Sequence, residues 1–319
     1  MKIAIKTIVP LLFLLPLVAY AQDKNFRNEF GFQSDNDAYL AQGSDRYYTN
    51  GLFITFRHAI TMPENAKKAI KKTWEAEVGQ RMYNAQSGSV PTIGLVDRPF
   101  AAYLYAGGKL NWFYKNDKLL QFSVHGGTIG PHAFGKDVQE LLHKIIGFYE
   151  IDGWQFQVNN ELQLNTALSY SQLLARTSDS NADVLFETAL KAGTTFSGLG
   201  AGALIRLGAL NPLSGSVSAN SRISASGSNA APAKEFFFYL RPRLAYVAYD
   251  ATIQGGLFSD NKGPVTYDVK PLVFSQEAGV MFAHKRWSAN FSAVFQTREI
   301  ESAARAHQFG TANLYYRFN

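Results

Sequence analysis

The stretch WSANFSAVFQ, residues 287–296, decides the fold. Its apolar residues alternate with polar or smaller ones: Trp287, Ala289, Phe291, Ala293 and Phe295 against Ser288, Asn290, Ser292, Val294 and Gln296. An alternation with a period of two predicts a β-strand with one apolar and one polar face. The last segment, 308–319, has the same pattern and ends on an aromatic residue, Phe318, followed by Asn319.

About twelve segments of this kind follow one another along the chain. They lie near residues 28–37, 47–59, 74–84, 100–114, 117–128, 158–175, 182–195, 197–209, 234–252, 270–285, 286–299 and 308–319. In lipid every backbone polar group must be paired, and a closed barrel with an apolar outside and a polar inside meets that need. The sequence therefore predicts an all-β fold, an antiparallel transmembrane β-barrel of about 12 strands. A soluble β-sandwich, whose strands also alternate, is the alternative.

The first 21 residues are typical of a secretory signal peptide. Lys2 and Lys6 give a charged start, residues 8–18 an apolar run, and Ala19-Tyr20-Ala21 a small-residue cleavage site. An N-terminal anchor helix is the alternative, but the apolar run is shorter than the roughly 20 residues that a span requires. We expect a mature barrel domain over residues 22–319, located in the outer membrane of a Gram-negative cell.

The composition limits the kinds of partner that the sequence predicts. The chain has no cysteine, which excludes a disulfide-stapled module and a thiol nucleophile. The formal charge of +6 falls to +4 once the two signal-peptide lysines are removed, a balance compatible with a phosphorylated lipid. No Lys/Arg-rich run is interleaved with aromatic residues, so we expect no nucleic-acid partner and expect outer-membrane lipid instead.

One stretch, about 134–149, departs from the period of two. Val138, Leu141, Leu142, Ile145 and Ile146 have the spacing of a helical face. Gly130-Pro131 precedes this stretch and Gly147 closes it, so one short helix is predicted between two strands. The tract 214–231, rich in Ser, Gly, Asn and Ala, is typical of a long mobile loop.

The predicted helix and the first two predicted strands contain the candidate site residues. Gln139 and His143 are four residues apart and share one helix face, where a neutral histidine can act as a general base. Asp35, Asp37 and Thr49 lie at the tips of the first two strands, and Asp37 and Thr49 are expected to converge at one rim. Such oxygen donors suit Ca²⁺, which polarises an ester carbonyl. A structural histidine and ordinary solvated loop carboxylates remain the alternatives.

Two blocks of the sequence resemble the outer-membrane lipid A 3'-O-deacylase, or LpxR, family. The first is Asn36-Asp37 through DRYYTNG, residues 45–51, and the second runs from Ile129-Gly130-Pro131 through Gln139, His143 and Gly147 to Trp154. The resemblance implies a twelve-stranded barrel that hydrolyses ester-linked 3' acyl chains of lipid A, the anchor of lipopolysaccharide, with a His base and Ca²⁺. It implies His143 as the base, Gln139 as its helical neighbour and Thr49 as a site residue, with Asn36 and Asp37 matching the family's Asn-Asp pair.

The chain departs from the family at three places. The run Asp35-Asn36-Asp37 allows two registers for the Asn-Asp pair, and the strand alternation turns Asn36 outward unless the strand ends or bulges there. The family has a lysine near the oxyanion on the next hairpin, whereas residues 83–99 contain none, which leaves Arg81 or Arg98 as substitutes. The family's acid after the helix falls on Tyr149, with Glu150 one place later. Two other functions stay open: a non-catalytic barrel acting as a pore or structural protein, and a phospholipase-like outer-membrane esterase. No G-x-S-x-G or H-E-x-x-H motif supports a different hydrolase chemistry.

Overall fold

The computed structural model describes residues 25–40, 45–63, 68–225 and 232–319, and these form a closed antiparallel barrel. Its strands are β1 (Asn28–Asn36), β2 (Tyr48–Ile60), β3 (Ala69–Tyr83), β4 (Ala101–Tyr114), β5 (Lys118–Ile129), β6 (Glu161–Arg176), β7 (Ala182–Gly193), β8 (Phe196–Ala209), β9 (Glu235–Asp250), β10 (Leu272–His284), β11 (Trp287–Gln296) and β12 (His307–Phe318). Each strand pairs with its neighbours in the chain, and β1 pairs with β12 to close the cylinder. The predicted twelve-stranded transmembrane barrel is confirmed. The predicted signal peptide, residues 1–21, lies outside the described residues.

The alternating residues of each strand lie on the two opposite faces of the barrel wall. On β1, Phe30 and Phe32 are exposed on the outside, whereas Glu29 and Asp35 are buried in the lumen. On β11, Phe291 is 60% exposed while its neighbour Asn290 is buried. The outer face therefore offers lipid a continuous apolar surface, as a transmembrane barrel requires.

A chain of ion pairs joins neighbouring strands inside the lumen. Arg57 on β2 binds Glu29 on β1, with 2.8 Å between Nη1 and Oε1, and it also binds Glu75 on β3. Lys109 on β4 binds the second oxygen of Glu75 at 2.7 Å, and Arg317 on β12 binds Glu29 at 3.0 Å. Because each buried charge has a partner across the sheet, the polar lumen wall holds five strands in register.

The two ends of the barrel differ in the length of their loops. Residues 37–47, 84–100, 130–160, 251–271 and 297–306 connect strands at one end, which is the extracellular end because outer-membrane barrels have long loops there. The helices α1 (Gly135–Ile146) and α2 (Ala251–Gln254) lie in these loops, α1 within the stretch predicted to be helical. None of the helices in the described ranges is long and apolar enough to cross a membrane.

One long connection, 210–234, lies at the periplasmic end. Residues 210–225 of this connection fold into the barrel and are called the plug below. Leu213 and Val217 pack in a buried cluster with Phe237 and Met281 of the wall, and Val217 N donates to Glu235 Oε2 at 2.8 Å. The expectation of a mobile loop over 214–231 is wrong for residues 214–225, because their small side chains let the backbone approach the wall; residues 226–231 lie outside the described residues.

Candidate active site

Asp37 lies in a short turn at the outer end of β1. The Asn36 Oδ1 atom accepts a hydrogen bond from Ala38 N at 2.7 Å, which ends the strand and starts the 3-10 helix Asp37–Leu40. The Asp37 side chain is buried, and its Oδ2 atom accepts a hydrogen bond from Arg46 N at 3.0 Å. Asn36 therefore positions the Asp37 carboxylate through the backbone.

Thr49 and Asp45 meet this carboxylate from the start of β2. Thr49 Oγ1 lies 3.1 Å from Asp45 Oδ1 and 3.5 Å from Asp37 Oδ1. The backbone here is strained, since Asp45 and Tyr47 have φ angles of 45° and 59°, which non-glycine residues rarely adopt. Strain of this kind concentrates at functional sites, and here it brings two carboxylates to one hydroxyl.

Helix α1 presents its polar face to the barrel rim. Val138 and Leu142 pack beside Trp154 in a buried cluster, which turns Gln139 and His143 inward. The rest of the predicted apolar face points away from the protein, with Ile145 70% exposed. Gln139 Oε1 accepts a hydrogen bond from Trp154 Nε1 at 3.0 Å. Its Nε2 donor is buried and has no acceptor within the described ranges, so it is free to donate to a ligand.

His143 is held by two partners. Gly147, with a φ angle of 75°, ends α1 in the left-handed conformation and turns the chain back, so that the Tyr149 carbonyl lies 2.8 Å from His143 Nδ1. A carbonyl can only accept, so Nδ1 carries the proton and a neutral imidazole has its lone pair on Nε2. That Nε2 atom lies 3.4 Å from Asp45 Oδ2, an oxygen that accepts a hydrogen bond from the Tyr149 hydroxyl.

The two carboxylates of the cluster lie close enough to repel each other. Burial, together with the negative charge of Asp45, raises the pKa of Asp37 to about 6, although the hydrogen bond from Arg46 N partly offsets this. Burial and the hydrogen bond to Asp45 raise the pKa of the Tyr149 hydroxyl, which keeps it a donor. A site with two crowded carboxylates favours a bound cation.

Four of the predicted site residues are brought together at this rim: Asp37 and Thr49 from the barrel, Gln139 and His143 from α1. Sequence reasoning missed Asp45, which contacts His143, Thr49 and Tyr149. The signal available was its position at the start of the DRYYTNG block, next to residues already selected.

Asp35 is not brought to the cluster. Its carboxylate faces the lumen, where it accepts hydrogen bonds from Tyr48 Oη at 2.7 Å and Gln33 Nε2 at 2.9 Å. A bulge between Tyr48 and Asn50 turns Tyr48 inward, so that its side chain lines the lumen. Because β1 ends at Asn36, Asp37 lies in the following turn and no longer obeys the strand alternation, so Asp35 faces the lumen while Asp37 faces the cluster. The geometry therefore does not favour Asp35 as a ligand.

Neither arginine considered as a replacement for the family's lysine reaches His143 or Asp45 in the described chain. The Arg81 guanidinium lies over the rings of Phe53 and Phe196 in the lumen. Arg98 is fully buried, and its Nε atom lies 2.9 Å from Glu299 Oε1. Arg46, whose backbone holds Asp37, is the arginine next to the cluster.

A family profile and several solved structures match this chain. The sequence profile of the family described as outer membrane protein LpxR matches residues 8–318, nearly the whole chain. The chain belongs to this family. The solved structure of LpxR from Salmonella typhimurium is similar, with a TM-score of 0.71 and 20% identity over 91% of this chain and all of that one. At this identity the likeness establishes the fold, and the family places the protein in the outer membrane.

Other solved barrels are more distant. The β domain of the Bordetella autotransporter BrkA has a TM-score of 0.43 and 12% identity, covering 93% of this chain and 100% of that one. The translocator domain of the autotransporter NalP from Neisseria meningitidis has a TM-score of 0.40 and 7% identity, covering 93% and 89%. No protein with a curated description matches this LpxR family member at a significant level.

The donor set of the cluster fits a hard cation. Asp37 and Asp45 supply carboxylate oxygens and Thr49 a hydroxyl between them. No group of three or more His, Asp and Glu side chains in the described residues is arranged around a metal position. Backbone carbonyls and water would therefore complete the shell, which is the ligand chemistry of Ca²⁺ and unlike the His- and Cys-rich shells of Zn²⁺.

Proposed function

We propose that this LpxR family member hydrolyses ester-linked 3' acyl chains of lipid A at the outer rim of its barrel. The observation that carries the proposal is the orientation of His143. Its Nδ1 atom faces the Tyr149 carbonyl at 2.8 Å, and its Nε2 atom faces the Asp45 side of the cluster. An imidazole fixed in this tautomer is suited to take a proton from water at Nε2.

His143 and Asp45 would act as a pair in the reaction. As the water oxygen bonds to the ester carbon, His143 Nε2 takes the water proton and becomes an imidazolium. Asp45, 3.4 Å away, stabilises that positive charge. The bond between the ester carbon and the sugar oxygen then breaks, and His143 returns the proton to that oxygen. The products are a fatty acid and a free sugar hydroxyl.

Gln139 is proposed to bind the ester carbonyl. Its amide is buried one turn before His143, and the hydrogen bond from Trp154 Nε1 fixes which end is the oxygen. The unpartnered Nε2 donor is then available for an oxygen on which negative charge develops. A buried donor without a partner is costly in a purely structural residue, which favours a functional role.

Asp37, Asp45 and Thr49 are proposed to hold Ca²⁺. When bound, the ion would polarise the ester carbonyl and neutralise the two carboxylates. Asp37 would contribute its Oδ1 atom, and the Thr49 hydroxyl lies between the two acids, 3.1 Å from Asp45 Oδ1 and 3.5 Å from Asp37 Oδ1. Asn36 and Arg46 keep Asp37 in place with backbone hydrogen bonds on either side.

The surroundings favour a lipid substrate. Next to the cluster, α1 exposes Leu141, Ile145 and Ile146, an apolar face that would dissolve in the outer leaflet. The plug packs against the lumen wall at the periplasmic end in a buried cluster, which argues against the alternative of an open pore. No contact in the described site favours a phospholipid over lipid A. The experiment below therefore also distinguishes a phospholipase-like esterase from a lipid A deacylase.

The test is mass spectrometry of lipid A from an outer-membrane host that expresses the chain, beside the variants His143→Gln and His132→Gln. We expect lipid A to lose the mass of one acyl or acyloxyacyl group with the unchanged protein and with His132→Gln, whose side chain is exposed outside the cluster. The loss should be absent with His143→Gln. Unchanged lipid A beside released phospholipid fatty acid would instead establish the phospholipase-like esterase.

A second arm tests the metal. The purified protein in detergent micelles is assayed with chelator and again after Ca²⁺ is restored. We expect activity to disappear and return; full turnover in chelator would remove Ca²⁺ from the mechanism while leaving His143 in place.

A further inference from the structure

A cavity of about 400 Å³ opens at the extracellular end beside the cluster, and we call it the rim pocket. It lies between the bases of three loops and is lined in part by Arg46, Gln86, Ser87, Ser89 and Arg305. These residues supply two guanidinium groups, two hydroxyls and an amide. The combination is typical of a site that binds an oxyanion.

Neither arginine of the rim pocket forms an ion pair in the described part of the chain. Neither Arg46 nor Arg305 has a carboxylate within 4.0 Å in the part of the chain that the structure describes, and Arg46 Nε is buried without a hydrogen-bond partner. Asp97 lines the same pocket, but its two oxygens already accept hydrogen bonds from Tyr47 Oη at 2.8 Å and Gln86 N at 2.7 Å. The pocket therefore has an excess of positive charge and a buried donor, Arg46 Nε, that lacks a hydrogen-bond acceptor in the described part of the chain.

Tyr47 holds both arginines in place. It follows Arg46 in the chain with a φ angle of 59°, and its hydroxyl accepts a hydrogen bond from Arg305 N at 2.8 Å. The ring is buried, and it also contacts the ring of His307 edge-on at 5.6 Å. A buried aromatic residue that ties two loops together preorganises the cationic wall, which lowers the entropy cost of binding.

The rim pocket adjoins the proposed catalytic cluster. Asp45 immediately precedes Arg46, and the Tyr149 hydroxyl that donates to Asp45 also interacts with Ser87 of the pocket wall. A Cβ atom at Gly88 would lie 2.7 Å from Tyr149 Oη, so glycine is what lets this loop approach the cluster. A ligand in the pocket is therefore a close neighbour of an ester beside His143.

We propose that the rim pocket binds a phosphate group, through Arg46, Arg305 and the hydroxyls of Ser87 and Ser89. The inference rests on the proposed function: the phosphate is one carried by the same glycolipid whose ester is hydrolysed. Its position beside the cluster makes the pocket the element that selects which ester reaches His143. Phosphate fits because a guanidinium fork binds its oxygens in pairs, and because the two arginines outnumber Asp97, the carboxylate of the pocket, whose oxygens are directed at Tyr47 Oη and Gln86 N.

The test compares lipid A with the same lipid A after treatment with a phosphatase, using the full chain in detergent micelles. We expect kcat/KM to be about tenfold higher for the phosphorylated lipid, because a hydrogen bond to a charged group strengthens binding by about this factor. Arg305→Gln should abolish that preference, mainly by raising KM for the phosphorylated lipid. Arg298→Gln, an exposed arginine on the same loop that does not line the pocket, is the matched control. An Arg305→Gln protein that keeps the full preference would overturn the proposal.

Binding is measured separately, so that this proposal does not depend on turnover. The probes are lipid A and phosphatase-treated lipid A, bound to the His143→Gln protein with and without Arg305→Gln. Phosphate-dependent binding that needs Arg305 supports the pocket even if lipid A proves not to be a substrate; equal binding of the two lipids overturns it even if deacylation is found. Competition by inorganic phosphate that needs Arg305 would show that the pocket also accepts the free ion.

Discussion

Replacing Asp37 by asparagine should make the protein more stable without Ca²⁺ while removing its activity. The Asp37 carboxylate is buried beside Asp45, and this environment raises its pKa from 3.8 to about 6. Asparagine has nearly the same shape and can still accept the hydrogen bond from Arg46 N, but it carries no charge to desolvate. The substitution therefore relieves an electrostatic cost in the native state.

The size of the effect follows from the pKa shift. A pKa about two units above the reference value, at about 1.4 kcal/mol per unit, corresponds to about 3 kcal/mol. Because the native pKa is raised, the native state holds the proton more tightly than the unfolded state does. The unchanged protein therefore loses this stability as the pH rises from about 4 to about 6, and above pH 6 the full cost is present. Asp37→Asn should not show this loss.

The assay is guanidinium unfolding of the refolded protein in detergent micelles with chelator, followed by tryptophan fluorescence at pH 4 and pH 8. We expect Asp37→Asn to match the unchanged protein at pH 4 and to exceed it by about 3 kcal/mol at pH 8. Saturating Ca²⁺ should reverse the order, because only the unchanged protein gains binding free energy. If Asp37→Asn is less stable at pH 8 in chelator, the carboxylate is stabilising and the argument for a crowded cation site fails.

Three further predictions concern the reaction. His143→Gln should lower kcat by about 10³-fold, the scale of a lost general base, while His132→Gln changes it little; equal effects would assign His143 a structural role. Tyr149→Phe should cost about tenfold, because the hydrogen bond to Asp45 is lost while the carbonyl that orients His143 remains; a loss as large as that of His143→Gln would show that the hydroxyl itself reacts. Trp154→Phe frees the amide of Gln139 to rotate and should lower kcat about tenfold with KM nearly constant, whereas a rise in KM alone would place Gln139 in substrate binding.

The fold could be predicted from the sequence because each barrel strand shows its two faces in its own alternating pattern. Each wall residue faces either lipid or lumen, so Phe291 and Asn290 differ in polarity at adjacent positions, and the pattern needs no knowledge of the partner strand. The residues of the plug have no such periodicity. Their burial depends on distant partners, such as Lys71 Nζ, which donates to the carbonyl oxygen of Ser214 at 2.7 Å, and local composition suggested a mobile loop instead.

The site was predictable only in part, for the same reason. Gln139 and His143 are related by helical spacing, which the sequence contains. Asp45 becomes a partner of His143 only because two loops, 98 residues apart at these positions, fold over the same rim. The register of Asp35 and Asp37 depended on where β1 ends, and the side chain of Asn36 decides that by capping the turn.

The contacts of the plug bear on the order in which the barrel assembles. It is fastened to β3 through Lys71, to the β4–β5 connection through Asp117, whose Oδ1 accepts from Leu213 N at 2.7 Å, and to β8 through Arg206, whose Nη1 donates to Ser216 Oγ at 2.8 Å. These attachments lie on opposite sides of the cylinder, and β9 to β12 follow the plug in the chain. We expect the segment to be seated before β1 and β12 meet along their shared edge. Filling of this end of the interior would then be part of barrel closure, and the finished cylinder carries its reactive surface above a lumen that keeps a cavity of about 470 Å³.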